Sequence, residues 1–390
     1  MNWKLIVPIA VLLLVLVGAT LIQPLVSTIQ SNLPPTPVVT PTTLPVEFES
    51  LKGYCGSEKI PLFADPATID VLAKFKLAVQ CIPLGSTAMV ADITTQDLQT
   101  QKIDFLSPSN NAASNVFKGK HNTADFPGYQ VADIFYSPMV VLAVNEARDA
   151  EIKQGVVVQR DNAYWIIDMP KLTTQILNKT RWETLDSSQT TLSGPIKVGS
   201  TDPGTSNSGG LLYIGEFGNA IAGDPYQAYQ TSDQPKVLPA LHQIKVNVGQ
   251  KASTSEDFFT TWIQGADEYK FPLAWVYESQ ILEWSNQAGS DIARVGKEFS
   301  ILYPEPDINS VHQVICLNTR CSRLVDALRS PEFQTAAWKH AFRTVINGVA
   351  NDASTFPHLQ TPRLTKITNL PEADVYLATI ACLKDQGACQ

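Results

Sequence analysis

The sequence predicts an α/β fold arranged as two lobes, and three observations predict it. At 390 residues the chain is too long for one ordinary core and suits two lobes of about 100–200 residues each. From about residue 47 onward, short apolar runs alternate with amphipathic stretches, the pattern of strands interleaved with helices. Clusters of small polar residues follow several of the apolar runs, where a strand gives way to a helix.

In chain order, Ile60 to Phe63 reads as a short strand, and Asp65-Pro66 opens a helix with Asp at the N-cap and Pro at its first position. Ile69, Leu72 and Phe75 follow at three-residue spacing and are expected to face the core. Leu77 to Pro83 is a second strand, and Gly85-Ser86-Thr87 opens the next helix. Ile103 to Leu106 is a third strand, ending in the polar turn Ser107-Pro108-Ser109-Asn110-Asn111. Met139 to Val144 is almost wholly apolar and should be buried on both faces. Val156 to Asp168 predicts a hairpin turning near Asp161-Asn162, and Asp168 with Pro170 caps a helix carrying Leu172, Ile176 and Leu177. Ile196 to Gly199 is a strand, Thr254 to Ile263 a helix with Phe258, Phe259 and Trp262 inward, and Phe271 to Val276 a buried strand. Strands at Phe299 to Tyr303 and Val311 to Leu317 precede two helices. The first carries Leu324, Ala327 and Leu328; the second starts at Ser330-Pro331-Glu332 and runs through Phe333, Ala337, His340 and Phe342.

Residues 1–25 are set apart. Leu5 to Ile22 is an apolar run of 18 residues preceded by one cation, Lys4. About 18–20 apolar residues are enough to span a bilayer, and Lys4 would stay inside. A cleaved signal is the alternative, although Gly18-Ala19-Thr20 is a poor cleavage site. Both readings export the remainder, to the outer face of the membrane or as a secreted protein. Residues 26–46 include LPPTPVVTPTTLP at 33–45, five prolines in thirteen residues, which predicts a semi-rigid extended spacer.

The cysteines agree with export. Cys55, Cys81, Cys316, Cys321, Cys382 and Cys389 make an even set, which suggests disulfides. Six cysteines allow 15 pairings; proximity along the chain suggests Cys316 with Cys321 and Cys382 with Cys389, which would leave Cys55 for Cys81. No C-x2-C is present, so a metal site is disfavoured.

Composition excludes other classes. A net charge of -8 gives no basic footprint for nucleic acid. The five histidines, His121, His242, His312, His340 and His358, are scattered and none forms H-E-x-x-H. No Walker loop or G-x-S-x-G elbow occurs. Neither an enzyme nor a cofactor is expected.

The richest segment is STDPGTSNSGGLLY, Ser200 to Tyr213, between a strand and a helix. Its small residues let the backbone approach a ligand. The first N–H groups of the following helix have no partner within the helix and suit an oxyanion or carboxylate. Thr205, Ser206, Asn207 and Ser208 add side-chain donors, and Gly209 leaves room. Ser86 and Thr87 repeat the arrangement on a smaller scale, and Tyr277-Glu278-Ser279 stands at a strand end, where open α/β sheets place ligands.

These pieces, in this order, resemble bacterial extracellular solute-binding proteins of the type 2 periplasmic-binding fold. Gly56-Ser57-Glu58-Lys59 with Phe63 and Asp65-Pro66 resembles the opening of one branch, and Gly85-Ser86 its first ligand loop. Asp104-Phe105 with Pro108-Ser109 resembles a strand-end motif, and Ser137-Pro138-Met139-Val140 a crossing strand. Thr201-Asp202-Pro203 with Ser206-Asn207-Ser208-Gly209 resembles the second-lobe loop, and Tyr277-Glu278-Ser279 the return crossing. Tyr303-Pro304, Leu328, Ser330-Pro331-Glu332, Gln334 and Phe342-Arg343 resemble the closing helices, with Ala341 where Gly is usual. The tail from Val345 has no counterpart in the resemblance.

The resemblance implies lobe one at 47–138 plus 277–390 and lobe two at 139–276. The candidate ligand residues are Ser57, Ser86, Thr87, Ser109, Asn110, Thr205, Ser206, Asn207, Ser208, Gly209, Tyr277 and Glu278, around one cleft. It also implies a monomer that delivers a small anionic or polar ligand to an ABC-type permease, with the bilayer as a second partner through the N-terminal run. A cell-surface sensor or interaction module that reports lobe closure is the other reading.

Overall fold

Strand β4, Gln130–Val144, organises the fold because two different sets of partners share it. Its first half pairs antiparallel with β10, Asn309–Cys316, from Gln130↔Cys316 to Pro138↔Asn309. Its second half pairs with β8, Leu273–Tyr277, from Met139↔Tyr277, and with β9, Phe299–Glu305, from Val141↔Leu302. The computed structural model describes residues 48–185, 191–249 and 252–389, so the expected anchor and spacer (1–25 and 26–46) lie outside the described residues. Among the described residues, no helix is long and apolar enough to cross a membrane.

The first strand group adds β1 (Glu49–Cys55), β2 (Leu77–Pro83), β3 (Phe105–Ser107) and the short β11 (Arg343–Thr344). The second adds the hairpin β5 (Val157–Arg160) and β6 (Tyr164–Asp168), with β7 (Val198–Gly199) beside β8. The order along the sheet is β2-β1-β3-β10-β4-β9-β6-β5, with β8 and β7 branching from β4. β9 therefore stands in the second group although it falls within 277–390, and the chain returns to the first group between Glu305 and Asn309.

The helices that matter for the site are α1 (Pro66–Lys74), α2 (Ala113–Lys120), the rod α3 (207–222), α4 (Gln234–Val248), α5 (Ser255–Ile263), α6 (Glu278–Asn286), α7 (Pro331–Lys339) and α8 (Ala373–Lys384). Met139 to Ala143 are fully buried, as a strand covered on both faces requires. Leu51, Phe105, Val314, Leu324 and Phe333 form one core under the first group, and Phe258, Trp262, Phe299 and Tyr303 another under the second.

Local signals behave as expected where one interaction sets them. Asp65 accepts the Ala67 N–H at 2.8 Å, Asp168 accepts that of Lys171 at 3.0 Å, and Thr254 accepts that of Asp257 at 3.1 Å. Asp161 and Asn162 take left-handed φ of 54° and 53° in the β5–β6 turn. The three disulfides are Cys55–Cys81, Cys316–Cys321 and Cys382–Cys389.

Three expectations fail. Ile60 to Phe63 is helical, part of Ile60–Ala64, because Pro61 stands in a first turn that continues the 3-10 turn from Ser57. Ile69 is exposed, since α1 buries Thr68, Val71 and Leu72 instead. α7 ends at Lys339, short of Phe342, because His340 leaves helical geometry and Ala341 turns left-handed at φ 60°.

Candidate functional site

Where the two strand groups face each other, a cavity of about 250 Å3 is lined from both. From the first come Gly56, Ser57 and Glu58 after β1, and Pro83, Leu84, Gly85 and Ser86 after β2. From the second come Ser206 and Asn207 at the start of α3, Ser253, Thr254 and Ser255 at the start of α5, and Tyr277 at the end of β8. Each segment is a strand end or loop running into a helical turn, so backbone N–H groups left over by the helices gather on one space.

Of the expected residues, Ser57, Ser86, Ser206, Asn207 and Tyr277 line this cavity. Asn207 ties the two groups together. Its Nδ2 donates to the Ser109 carbonyl at 2.7 Å and the Tyr277 hydroxyl at 3.0 Å, and its Oδ1 accepts from Asn110 Nδ2 at 2.7 Å. Ser109 and Asn110 thus stand behind the wall and hold Asn207, and the Ser109 N–H donates to Ser86 Oγ at 2.9 Å. Ser206 stands at the helix N-cap but its hydroxyl does not cap the helix.

Four expected residues serve the frame. Ser208 Oγ lies 2.7 Å from Thr201 Oγ1 and 2.8 Å from Ser255 Oγ, and the Gly209 N–H donates to Thr201 Oγ1 at 2.9 Å. Thr87 Oγ1 is 3.4 Å from the Tyr376 hydroxyl. Thr205 is exposed, and its carbonyl faces Gly85 so closely that a Cβ there would come within 2.6 Å.

Glu278 is placed away from the lining, for a definite reason. It is fully buried, and both its oxygens accept from Arg343, at 2.7 Å from Nε and 2.6 Å from Nη2. It also accepts from the Tyr303 hydroxyl at 2.8 Å. A carboxylate so engaged joins α6 to β9 and β11.

Sequence reasoning missed the charged part of the wall. Lys59 is fully buried, and its Nζ donates to Glu58 Oε1 at 2.8 Å and Ser109 Oγ at 2.7 Å. The Ser109 hydroxyl donates in turn to Glu58 Oε1. Burial works against the Glu58 charge, but the ammonium of Lys59 and the two hydrogen bonds outweigh it and hold the carboxyl below its ordinary range. His312, 3.0 Å from Lys59 Nζ through Nδ1, is kept neutral by burial and by that ammonium, so Nδ1 accepts and Nε2 faces Ser310 Oγ at 3.3 Å. The lining thus presents the Glu58 carboxylate, its charge balanced from behind by buried Lys59, together with hydroxyl- and amide-bearing residues and helix starts. The signal for Ser253 to Ser255 was present in the sequence as a small polar cluster opening a helix, the same pattern as at Ser206.

No family model matches the chain, and no curated protein matches it. Solved structures do. A periplasmic thiamin-binding protein superposes with a TM-score of 0.54 at 15% identity, covering 88% of this chain and 97% of its own. The substrate-binding protein of an ABC transporter from Agrobacterium tumefaciens gives 0.51 at 14% identity, covering 88% and 95%. The structural neighbours are periplasmic solute-binding proteins of ABC transporters, and the chain has their α/β fold.

Proposed function

We propose that this chain is a solute-binding protein that captures one small anionic or polar ligand between two lobes, without chemistry on it, and presents it to an ABC-type permease. The observation that carries the reading is that hydroxyl- and amide-bearing residues at helix starts in both strand groups line one cavity of about 250 Å3. That volume is just below the range of roughly 300–1,000 Å3 usual for drug-sized ligands. Helix N-termini favour anions and need no lysine or arginine in contact with the ligand. Glu58, held ionised at the wall, only accepts hydrogen bonds. It therefore favours a ligand that carries a hydroxyl or acid proton beside its acceptor oxygens. The apolar run Leu5 to Ile22 and the prolines at 33–45 support tethering at the outer membrane face, near a permease.

A thermal-shift screen of the 46–390 fragment over oxyanions, sugars, amino acids and metal ions tests the reading. A ligand at about 100 times its dissociation constant adds roughly 2.7 kcal/mol of stability and raises the melting temperature. If no class moves it, solute capture fails. For a hit, Ser206→Ala should weaken binding with little change in unapplied-ligand stability, because that hydroxyl lines the cavity and caps nothing. Ser208→Ala should cost stability first, since it loses Thr201 and Ser255.

A further inference from the structure

The tail beyond β11 is held to both sides of the fold. It passes the point where β9 leads into β10: Arg343 Nη1 donates to the Pro362 carbonyl at 2.9 Å, and the Tyr303 hydroxyl oxygen lies 2.9 Å from that of Gln360. Asp307 N–H donates to the Lys366 carbonyl and Thr368 N–H to the Asp307 carbonyl, each at 2.8 Å. Asn219 of α3 then donates to Thr368 Oγ1 at 2.8 Å and to the Asn369 carbonyl at 2.9 Å.

The tail ends in α8, which packs on α2, flanking the first strand group, and on α4, flanking the second. Val375, Tyr376, Ile380 and Leu383 are buried in one apolar cluster with Met89 and Val116 on one side and Leu211 and Leu241 on the other. Tyr376 reaches both ligand loops. Its hydroxyl lies 3.4 Å from Thr87 Oγ1, next to cavity-lining Ser86, and a Cβ added at Gly210 of α3 would come within 3.2 Å of it.

We propose that α8 is a strap that holds the two strand groups shut over the cavity and sets the rate at which the cleft opens. Any rotation that parts the groups must detach α8 from one of them, and the polar contacts decide which. Toward the second group, the Thr379 and Tyr229 hydroxyls are buried 2.6 Å apart. Lys245 Nζ donates to the Leu383 carbonyl, and His242 Nδ1 stands 3.3 Å from that of Cys382. The Cys382–Cys389 disulfide ties the end of α8 to the turn after it, Gln386–Cys389, which itself packs on α4. Toward the first group, the polar contacts among the described residues are the long Tyr376–Thr87 contact and the ion pair of Lys384 with Asp92 at 3.3 Å, both partners of the pair about half exposed. Exposed pairs contribute little, because water screens them. The strap therefore parts from α2 and residues 86–92 and travels with α4.

The inference rests on the cavity reading only for what the strap guards, and its test needs no ligand, so the two can fail separately. All six native cysteines are disulfide-bonded. Asp92→Cys with Lys384→Cys thus supplies two free thiols that a short bis-maleimide can bridge. Amide hydrogen exchange at 84–92 and 204–212 is compared with and without the bridge, and small-angle scattering gives the radius of gyration. The bridge should slow exchange in both segments by about tenfold or more. The double variant Tyr376→Phe, Lys384→Ala should speed exchange there and enlarge the radius of gyration, while Thr379→Val leaves residues 86–92 unchanged. Exchange indifferent to the bridge would overturn the proposal. So would an unchanged exchange and radius in a folded Tyr376→Phe, Lys384→Ala variant.

Discussion

Glu58 and Lys59 are adjacent in sequence and meet at 2.8 Å in the interior, while Glu278 and Arg343 are 65 residues apart and meet in a two-pronged pair. The first pair borders the cavity and the second braces β9 and β11 against α6, so a carboxylate's role here is set by which cation reaches it. Among the described residues, no cation pairs with Glu151. It is fully buried, its Oε2 accepts from Gln175 at 3.0 Å, and burial raises its pKa to about 7. A raised carboxyl keeps its proton in the folded protein after the unfolded chain has lost it, so stability falls as pH climbs from about 4.5 to 7. The cost above pH 7 is about 3 kcal/mol at 1.36 kcal/mol per unit. Glu151→Gln should therefore raise the urea midpoint at pH 8 and leave it nearly unchanged at pH 4. An equal effect at both would show that ionisation of this carboxyl does not matter. Little of this was legible in the sequence: Asp65, Asp168 and Thr254 announce themselves as caps because their partners lie two or three residues away, whereas the partners of Glu278 and Asn207, and Ser109 and His312 beside Lys59, come from distant segments.

Among the elements, α3 shows how a loop signal becomes geometry. Ser200 to Tyr213 is the segment expected to approach a ligand, and it divides its labour. Ser206 and Asn207 face the cavity, while Ser208 and Gly209 lock the helix start onto Thr201. Gly209 is required at that place. A Cβ would come within 2.4 Å of the Thr201 carbonyl and 2.8 Å of the Pro203 nitrogen, both backbone atoms that cannot swing away. Gly209→Ala should cost about 1–3 kcal/mol, the usual penalty for overpacking. It should also weaken any ligand found in the screen by shifting Ser206 and Asn207; unchanged stability in urea would place the loop elsewhere. The helix-starting pattern was readable at 86, 206 and 255 because it is local. The short helix at Ile60–Ala64 was misread as a strand because five residues are too few for periodicity to separate the two.

At the scale of the whole molecule, the two strand groups touch directly at Gly85, where a Cβ would stand 2.6 Å from the Thr205 carbonyl. Gly85→Ala should act as a wedge. The expected result is a larger radius of gyration and ligand affinity lower by about tenfold or more, corresponding to overpacking of 1–3 kcal/mol, with the cores of both groups intact. An unaltered affinity would mean that the groups do not need to meet here for binding. By itself the sequence determined the α/β class, the disulfide-forming even set of cysteines, most strands and the polar segments from which the cavity is built, because each depends on composition, periodicity, caps or spacing along the chain, while the pairing of the cysteines was settled by the structure. The tertiary structure alone decided that β9 joins the second group, that Glu278 serves Arg343, that Glu58 enters the wall, and that α8 straps the groups together. Those outcomes depend on which distant surfaces bury each other and which buried charge finds a partner, and neither is a property of neighbours in sequence.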